Sequence, residues 1–313
     1  MTSTPPPESP FPPRPSTNAS ASASSSSAPS GAPITAKPIP VEWPLTSFAS
    51  TPHNVACIAF VLGAAWAAGL ALVVPNLASW FRWQTLPSAA ALPAQGWWTT
   101  LTASPQLGSY VAAVAVFHLL EFVVTSMFNP GKLSVASYLL NNGAAYHVAH
   151  FGGLVEYILE ERYFPAEYRL WKHSGHIFVL GLFILVAGQI LRSFAMISAA
   201  GNFSHLYVLF FTSWTLELNR LRRLAYTKRP DHQLVKTGIY SWSRHPSYAG
   251  FYWWAVGTQL VLGNPICTLI FLGVLHWFFR NRIEVEEKYL VKFFGSDYEQ
   301  YRARVPSRIL FVP

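Results

Sequence analysis

The sequence predicts an all-α fold, a polytopic integral membrane protein with about six transmembrane helices, the last two forming a helical hairpin. Three observations carry this. Hydrophobic residues make up 51% of the 313 and charged residues only 12%, where soluble domains carry about 25% charged. Mean hydropathy is +0.27 although the first stretch is polar, so the remainder is strongly apolar. Twelve Trp, many at the ends of apolar runs, suit anchoring at both bilayer interfaces.

The net charge of +8 reads as basic loops facing anionic lipid, not as a nucleic-acid surface. Cys57 and Cys267 both sit inside apolar runs. Neither a disulfide framework nor a CxxC metal site follows from them.

Residues 1–45 are rich in Pro, Ser and Ala; such a segment buries no core and reads as a disordered tail. It holds no apolar signal-peptide core, so the first span serves as the targeting signal. Asn54 to Val74 carries no charge, crosses a bilayer by length, and ends at Pro75. The stretch from there to Gln106, with Trp80, Trp83, Trp97 and Trp98, receives no element. Leu107 to Phe128 is the second span. Its His118 and Glu121 share a face, read first as a pair closing a helix contact.

Tyr138 to Leu159 is the third span. Asn141, Asn142, His147, His150 and Glu156 require it to be buried among helices or to line a cavity. Ile177 to Ser198 is the fourth, with Gln189 and Arg192 near its end. Gly250 to Leu262 and Pro265 to Phe279 form the hairpin, broken at Gly263-Asn264-Pro265 and short for spans. From Glu284 the tail is charged and amphipathic, with Phe293, Phe294 and Tyr298 expected at the interface. Residues 50–200 thus hold the N-terminal transmembrane helices, and 201–313 form a C-terminal region.

Three constellations carry chemistry. His147/His150 and His173/His176 recur at one-turn spacing; membrane di-iron oxidases need many more histidines, so no metal is assigned. In Arg244-His245-Pro246-Ser247-Tyr248, Pro246 forces a sharp loop-to-helix junction, flanked by Gly238 and Gly250. By local physics it is equally a ligand site at free backbone N–H groups or a capped membrane-helix start with snorkelling side chains. Arg282 and Glu286 share a helix face, with Glu287 beside them. They form either a surface ion pair or a cation for an anionic substrate beside an acid for a cationic cofactor.

Taken together, His232 to Pro306 resembles the C-terminal half of the isoprenylcysteine carboxyl methyltransferases, fungal type. The resemblance rests on His232-Gln233-Leu234-Val235, Gly238, Tyr240, the Arg244 to Tyr248 run and Gly257-Thr258-Gln259. Asn264-Pro265, Arg282, Glu286-Glu287 and Phe293-Phe294-Gly295 continue it. A looser match runs through His118, Glu121-Phe122, the Asn141 region, Glu156 and Asn202 to His205.

The resemblance implies S-adenosylmethionine as cofactor, a cytosol-facing site in the endoplasmic reticulum membrane, and prenylated CaaX proteins as substrates. It implies that His232, Gln233, Leu234, Val235 and Tyr240 line the cofactor, with His245, Pro246, Ser247 and Tyr248 as a second wall. Glu286 would contact the cofactor and Arg282 the substrate carboxylate, with Arg282, Glu286 and Glu287 forming the catalytic group. The sequence departs from the family at 207–224, an apolar then basic insertion, and Ala225 stands where a cofactor-contacting Gln is expected. That segment reads as an added interfacial helix or as a translated intron. Two rivals stand beside this reading: a membrane methyltransferase acting on phospholipid or another small substrate, and an inactive membrane scaffold.

Overall fold

The computed structural model describes residues 50–74, 104–165, 172, 175–203, 233–309 and 312. The 1–45 tail, the stretch between the first two spans, His173, Ser204, His205, the 207–224 insertion and His232 lie outside the described residues. All regular structure among the described residues is helical: α1 Pro52–Val73, α2 Pro105–Phe128, α3 Ala144–Tyr163, α4 Gly175–Ala199, α5 Pro246–Leu262, α6 Pro265–Phe294 and α7 Ser296–Arg304. Four of these helices are long and apolar enough to cross a bilayer: α1, α2, α4 with its short extension to Asn202, and α6.

Local chemistry sets the helix starts. Thr51 and Ser104 cap α1 and α2 by accepting the N–H groups of Asn54 at 3.4 Å and Leu107 at 3.1 Å. A proline follows each cap, where its missing N–H costs nothing.

Three expectations change. The third helix begins at Ala144, where a span was expected from Tyr138. A 3-10 turn over Val135–Tyr138 precedes it, closed by reciprocal hydrogen bonds between Ser134 and Ser137. The chain then passes through Leu139 at φ 54° and Gly143 at φ 82°, which end any continuous helix. The last helix does not stop near Phe279 but runs unbroken to Phe294. No Gly or Pro interrupts residues 274–294; Gly295, at φ 56°, is the first breaker. At 30 residues it is about 45 Å long, so its charged last turns extend beyond a hydrocarbon core of about 30 Å. Tyr298, expected at the interface, is buried.

α5 is the packing centre. It has only 17 residues, yet Trp254, Val261 and Leu262 are wholly buried. Glycines let α4 lie directly on it. A Cβ on Gly250 would stand 2.6 Å from the Arg192 backbone, and one on Gly181 2.7 Å from that of Val261. This close approach aligns the polar end of α4 with the first turn of α5.

The hairpin turn is polar and buried. Gly263 takes the left-handed conformation. The Asn264 amide donates to the Gly153 carbonyl at 2.7 Å and to Gln259 Oε1 at 3.0 Å. Beyond α7 the chain returns to the start of α5: Arg244 N–H donates to the Pro306 carbonyl at 3.1 Å, and the Ser243 hydroxyl to the Ser307 carbonyl at 2.6 Å.

Candidate active site

The first turn of α5 and the emerging end of α6 build the site. Pro246 occupies the first helical position, and His245 before it has φ −128° and ψ 54°. This sharp entry sets the His245 and Tyr248 rings parallel, 5.5 Å apart at 6°. Tyr248 also stacks against Phe279, 5.2 Å away. Two ring contacts therefore hold the Tyr248 ring in place.

Its hydroxyl joins two charges on α6. Tyr248 Oη donates to Glu286 Oε2 and accepts from Arg282 Nε at 3.3 Å. Arg282 Nε stands 3.9 Å from the same carboxylate, the one-turn spacing seen in the sequence. Exposure separates the pair: the Arg282 side chain is 9% exposed and that of Glu286 27%. Arg282 thus points inward while Glu286 retains access to water.

Glu287 has different company. Its Oε1 accepts from Arg244 Nε at 2.5 Å and pairs with His245 Nε2 at 3.1 Å, and its Oε2 takes Arg302 Nη1 at 3.4 Å. One buried carboxylate therefore ties the loop before α5, the end of α6 and α7 together. The Tyr301 hydroxyl adds a link, donating to the Tyr240 carbonyl at 2.6 Å. Burial pushes the Tyr301 phenol above its usual value, so it remains a donor.

The segment from Gln233 to Tyr240 is anchored at the C-terminal end of α4. Gln233 N–H donates to Asn202 Oδ1 at 3.0 Å, and the Tyr240 hydroxyl to the Ala195 carbonyl at 3.4 Å. Gln233 is exposed, while Leu234, Val235 and Tyr240 are half-buried. Ser247 turns instead to Arg192, accepting from Nη1 at 3.0 Å.

An apolar cavity of about 150 Å³ opens beside Tyr248 and Arg282. On α6 its lining runs from Phe271 through Leu275 and Phe279 to Arg282, about 16 Å at the helical rise. Tyr146 and His150 of α3, Arg192 of α4 and Phe251 of α5 also line it. His150 Nδ1 is bonded to the Tyr110 hydroxyl at 2.8 Å, and His118 bridges the Tyr138 carbonyl at 2.7 Å and the Tyr146 hydroxyl at 3.0 Å. A group with a carboxylate head and a long hydrocarbon tail matches this shape: a cation at one end, apolar walls beyond.

Sequence reasoning treated Glu121 and Arg192 separately. They form a buried forked ion pair between α2 and α4. Opposite charges in two separate spans were the available signal, because each needs a partner within the membrane.

The profile of the isoprenylcysteine carboxyl methyltransferase family matches residues 179–292. The chain is 41% identical over 206 residues to the protein-S-isoprenylcysteine O-methyltransferase of Saccharomyces cerevisiae, covering 65% of this chain and 79% of that one. It is also 41% identical over 216 residues to the enzyme of the same name from Schizosaccharomyces pombe, covering 66% and 84%. In structure it resembles a eukaryotic intramembrane Ras methyltransferase, an isoprenylcysteine carboxyl methyltransferase, with a TM-score of 0.64 at 29% identity. That likeness covers 82% of this chain and 76% of the other.

Proposed function

The chain belongs to the isoprenylcysteine carboxyl methyltransferase family, and on that premise we propose how its site methylates the C-terminal carboxylate of an S-prenylated cysteine. One observation carries the reading: Arg282 and Glu286, of opposite charge, share the Tyr248 hydroxyl beside an apolar cavity. Arg282 holds the substrate carboxylate through its planar fork. The prenyl tail lies along Phe271 to Phe279, where burying hydrocarbon is favourable.

The donor set suits S-adenosylmethionine. A partly exposed carboxylate, Glu286, stands beside the stacked His245 and Tyr248 rings, and carboxylates and aromatic faces both attract a sulfonium cation. Gln233, Leu234, Val235 and Tyr240 form the other wall of that site. His232, which the family resemblance assigns to the same wall, lies outside the described residues. When bound, the cofactor supplies an electrophilic methyl group.

The protein's own work is then positional. The substrate carboxylate is already ionised at neutral pH, so no strong base is required. Arg282 orients it, and the apolar walls exclude the water that would blunt its nucleophilicity. Glu287, held by Arg244, His245 and Arg302, keeps the floor of the site rigid and takes no proton.

We place the protein in the endoplasmic reticulum membrane. Six helices cross it, α3 and α5 completing the four longer spans, and the site faces the cytosol, where prenylated CaaX proteins and cofactor both meet it. Incubating the purified protein with labelled S-adenosylmethionine and either a farnesylcysteine analogue or a phospholipid tests the substrate. Methyl ester on the farnesylcysteine analogue is expected. Label on the phospholipid alone would move the protein to the rival class, and label on neither would favour an inactive scaffold.

A further inference from the structure

Two arginines border the apolar cavity, Arg282 from α6 and Arg192 from α4. Both are buried, with side chains 9% and 4% exposed. A substrate whose reacting group is a carboxylate therefore meets two cations in one cavity, and productive transfer requires it at one of them. Arg192 lies towards the apolar side. Its guanidinium carbon is 5.4 Å from the centre of the Phe117 ring and 5.5 Å from that of Phe251, and Phe251 is one helical turn beyond Ser247.

The two cations differ in their counter-charge. Glu121, itself 1% exposed, meets Arg192 with both oxygens: Nε donates to Oε1, and Nη2 to Oε2 at 2.9 Å. The third arm, Nη1, donates to Ser247 Oγ at 3.0 Å. This is the forked geometry in which a guanidinium is most fully compensated. Arg282 has a looser acid neighbour, with Glu286 at 3.9 Å and Tyr248 between them.

Resting on the function proposed above, we propose that Glu121 is a positioning residue that sets the register of the substrate carboxylate. By neutralising Arg192 it directs the carboxylate to Arg282, beside Tyr248 and Glu286. Without the Glu121 charge, a buried cation loses its compensation, and an incoming carboxylate is the replacement. That carboxylate would bind tightly but at Arg192, beside the Phe117 and Phe251 rings and away from the transfer position. Without Arg192, the Glu121 charge instead repels the substrate. The two single substitutions must therefore act on substrate binding with opposite sign, which loss of packing alone does not produce.

The test uses the full-length protein in detergent, with N-acetylated farnesylcysteine as the acid and its methyl ester as a neutral probe. Glu121→Gln is expected to lower KM for the acid about tenfold and kcat by about tenfold or more, with ester affinity changed less than about twofold. Arg192→Gln is expected to raise KM for the acid about tenfold, again sparing the ester. The double variant should return KM towards the wild-type value. A rise in KM with Glu121→Gln, or ester affinity moving in step with that of the acid, overturns the proposal. Should Glu121→Gln not fold, an unchanged acid-to-ester ratio in Arg192→Gln overturns it equally. Competition binding of acid against ester needs no turnover, so a wild-type protein that binds the acid without methylating it sinks the functional reading separately.

Discussion

The Glu156 carboxylate accepts the backbone N–H of Cys267 at 2.7 Å, tying α3 to the start of α6 across 111 residues of sequence. Its other oxygen takes the Ile266 N–H at 2.8 Å. An acid from one helix thus caps another and lies against the positive end of its dipole.

Glu156→Ala is therefore expected to lower stability by about 1–2 kcal/mol, the value of a lost N-cap. Glu156→Gln, which keeps one acceptor, should lose less. Thermal unfolding in detergent reads both. Because the hairpin turn lies at the opposite end of α5 and α6 from Tyr248 and Arg282, KM for the prenylcysteine should stay near the wild-type value. A variant of unchanged stability would remove the cap from the explanation.

Arg282→Lys removes the planar fork but keeps the charge. Turnover is expected to fall by about tenfold or more, because a point charge holds a carboxylate in a less defined orientation. Binding of S-adenosylmethionine should be largely kept. Equal turnover by the two proteins would dismiss Arg282 as the carboxylate ligand.

Glu286→Gln preserves shape and still accepts the Tyr248 hydroxyl, yet presents no charge to a sulfonium. Calorimetry should show weaker S-adenosylmethionine binding, by several-fold for a site with 27% of the side chain exposed. An unchanged affinity would assign the acid to Arg282 and Tyr248 alone.

Glu287→Ala strips a buried carboxylate from Arg244 and His245. Breaking such a cluster from one side costs about 3–5 kcal/mol, since a buried cation loses its carboxylate. The expected result is a marked drop in thermal stability and proteolytic opening of the segment after Gly295. Wild-type stability combined with lost turnover would instead place Glu287 in the chemistry.

Orientation has its own test. Arg280, Lys288, Lys292, Arg302, Arg304 and Arg308 cluster at and beyond the end of α6, as the positive-inside rule expects of a cytosolic face. An N-glycosylation acceptor fused after Pro313 should stay unmodified in the endoplasmic reticulum. Glycosylation of that tag would invert the topology.

What the sequence determined by itself was the solvent and the order of the elements. Long apolar runs with two or fewer charges allow little but bilayer-spanning helices, so α1, α2 and α4 fall within two residues of their predicted starts. The Arg282–Glu286 spacing was equally legible, because one helical turn puts the two on one face wherever that helix runs. Helix ends were less so. Ending the last span at Phe279 treated charge as a stop, but charge only moves a helix into water; Gly295 ends it. The tertiary structure alone decided which polar groups meet. The Tyr248 hydroxyl reaches Glu286 across 38 residues, and Arg192 reaches Glu121 across 71. Glu156 reads in sequence like any costly intramembrane acid and is a helix cap in the fold. Glu286 and Glu287 are adjacent and identical, yet one keeps access to water beside Tyr248 and the other is locked under Arg244. The reason is geometric: successive residues on a helix point about 100° apart, and only the packing of α5 and α7 around α6 determines what each direction meets.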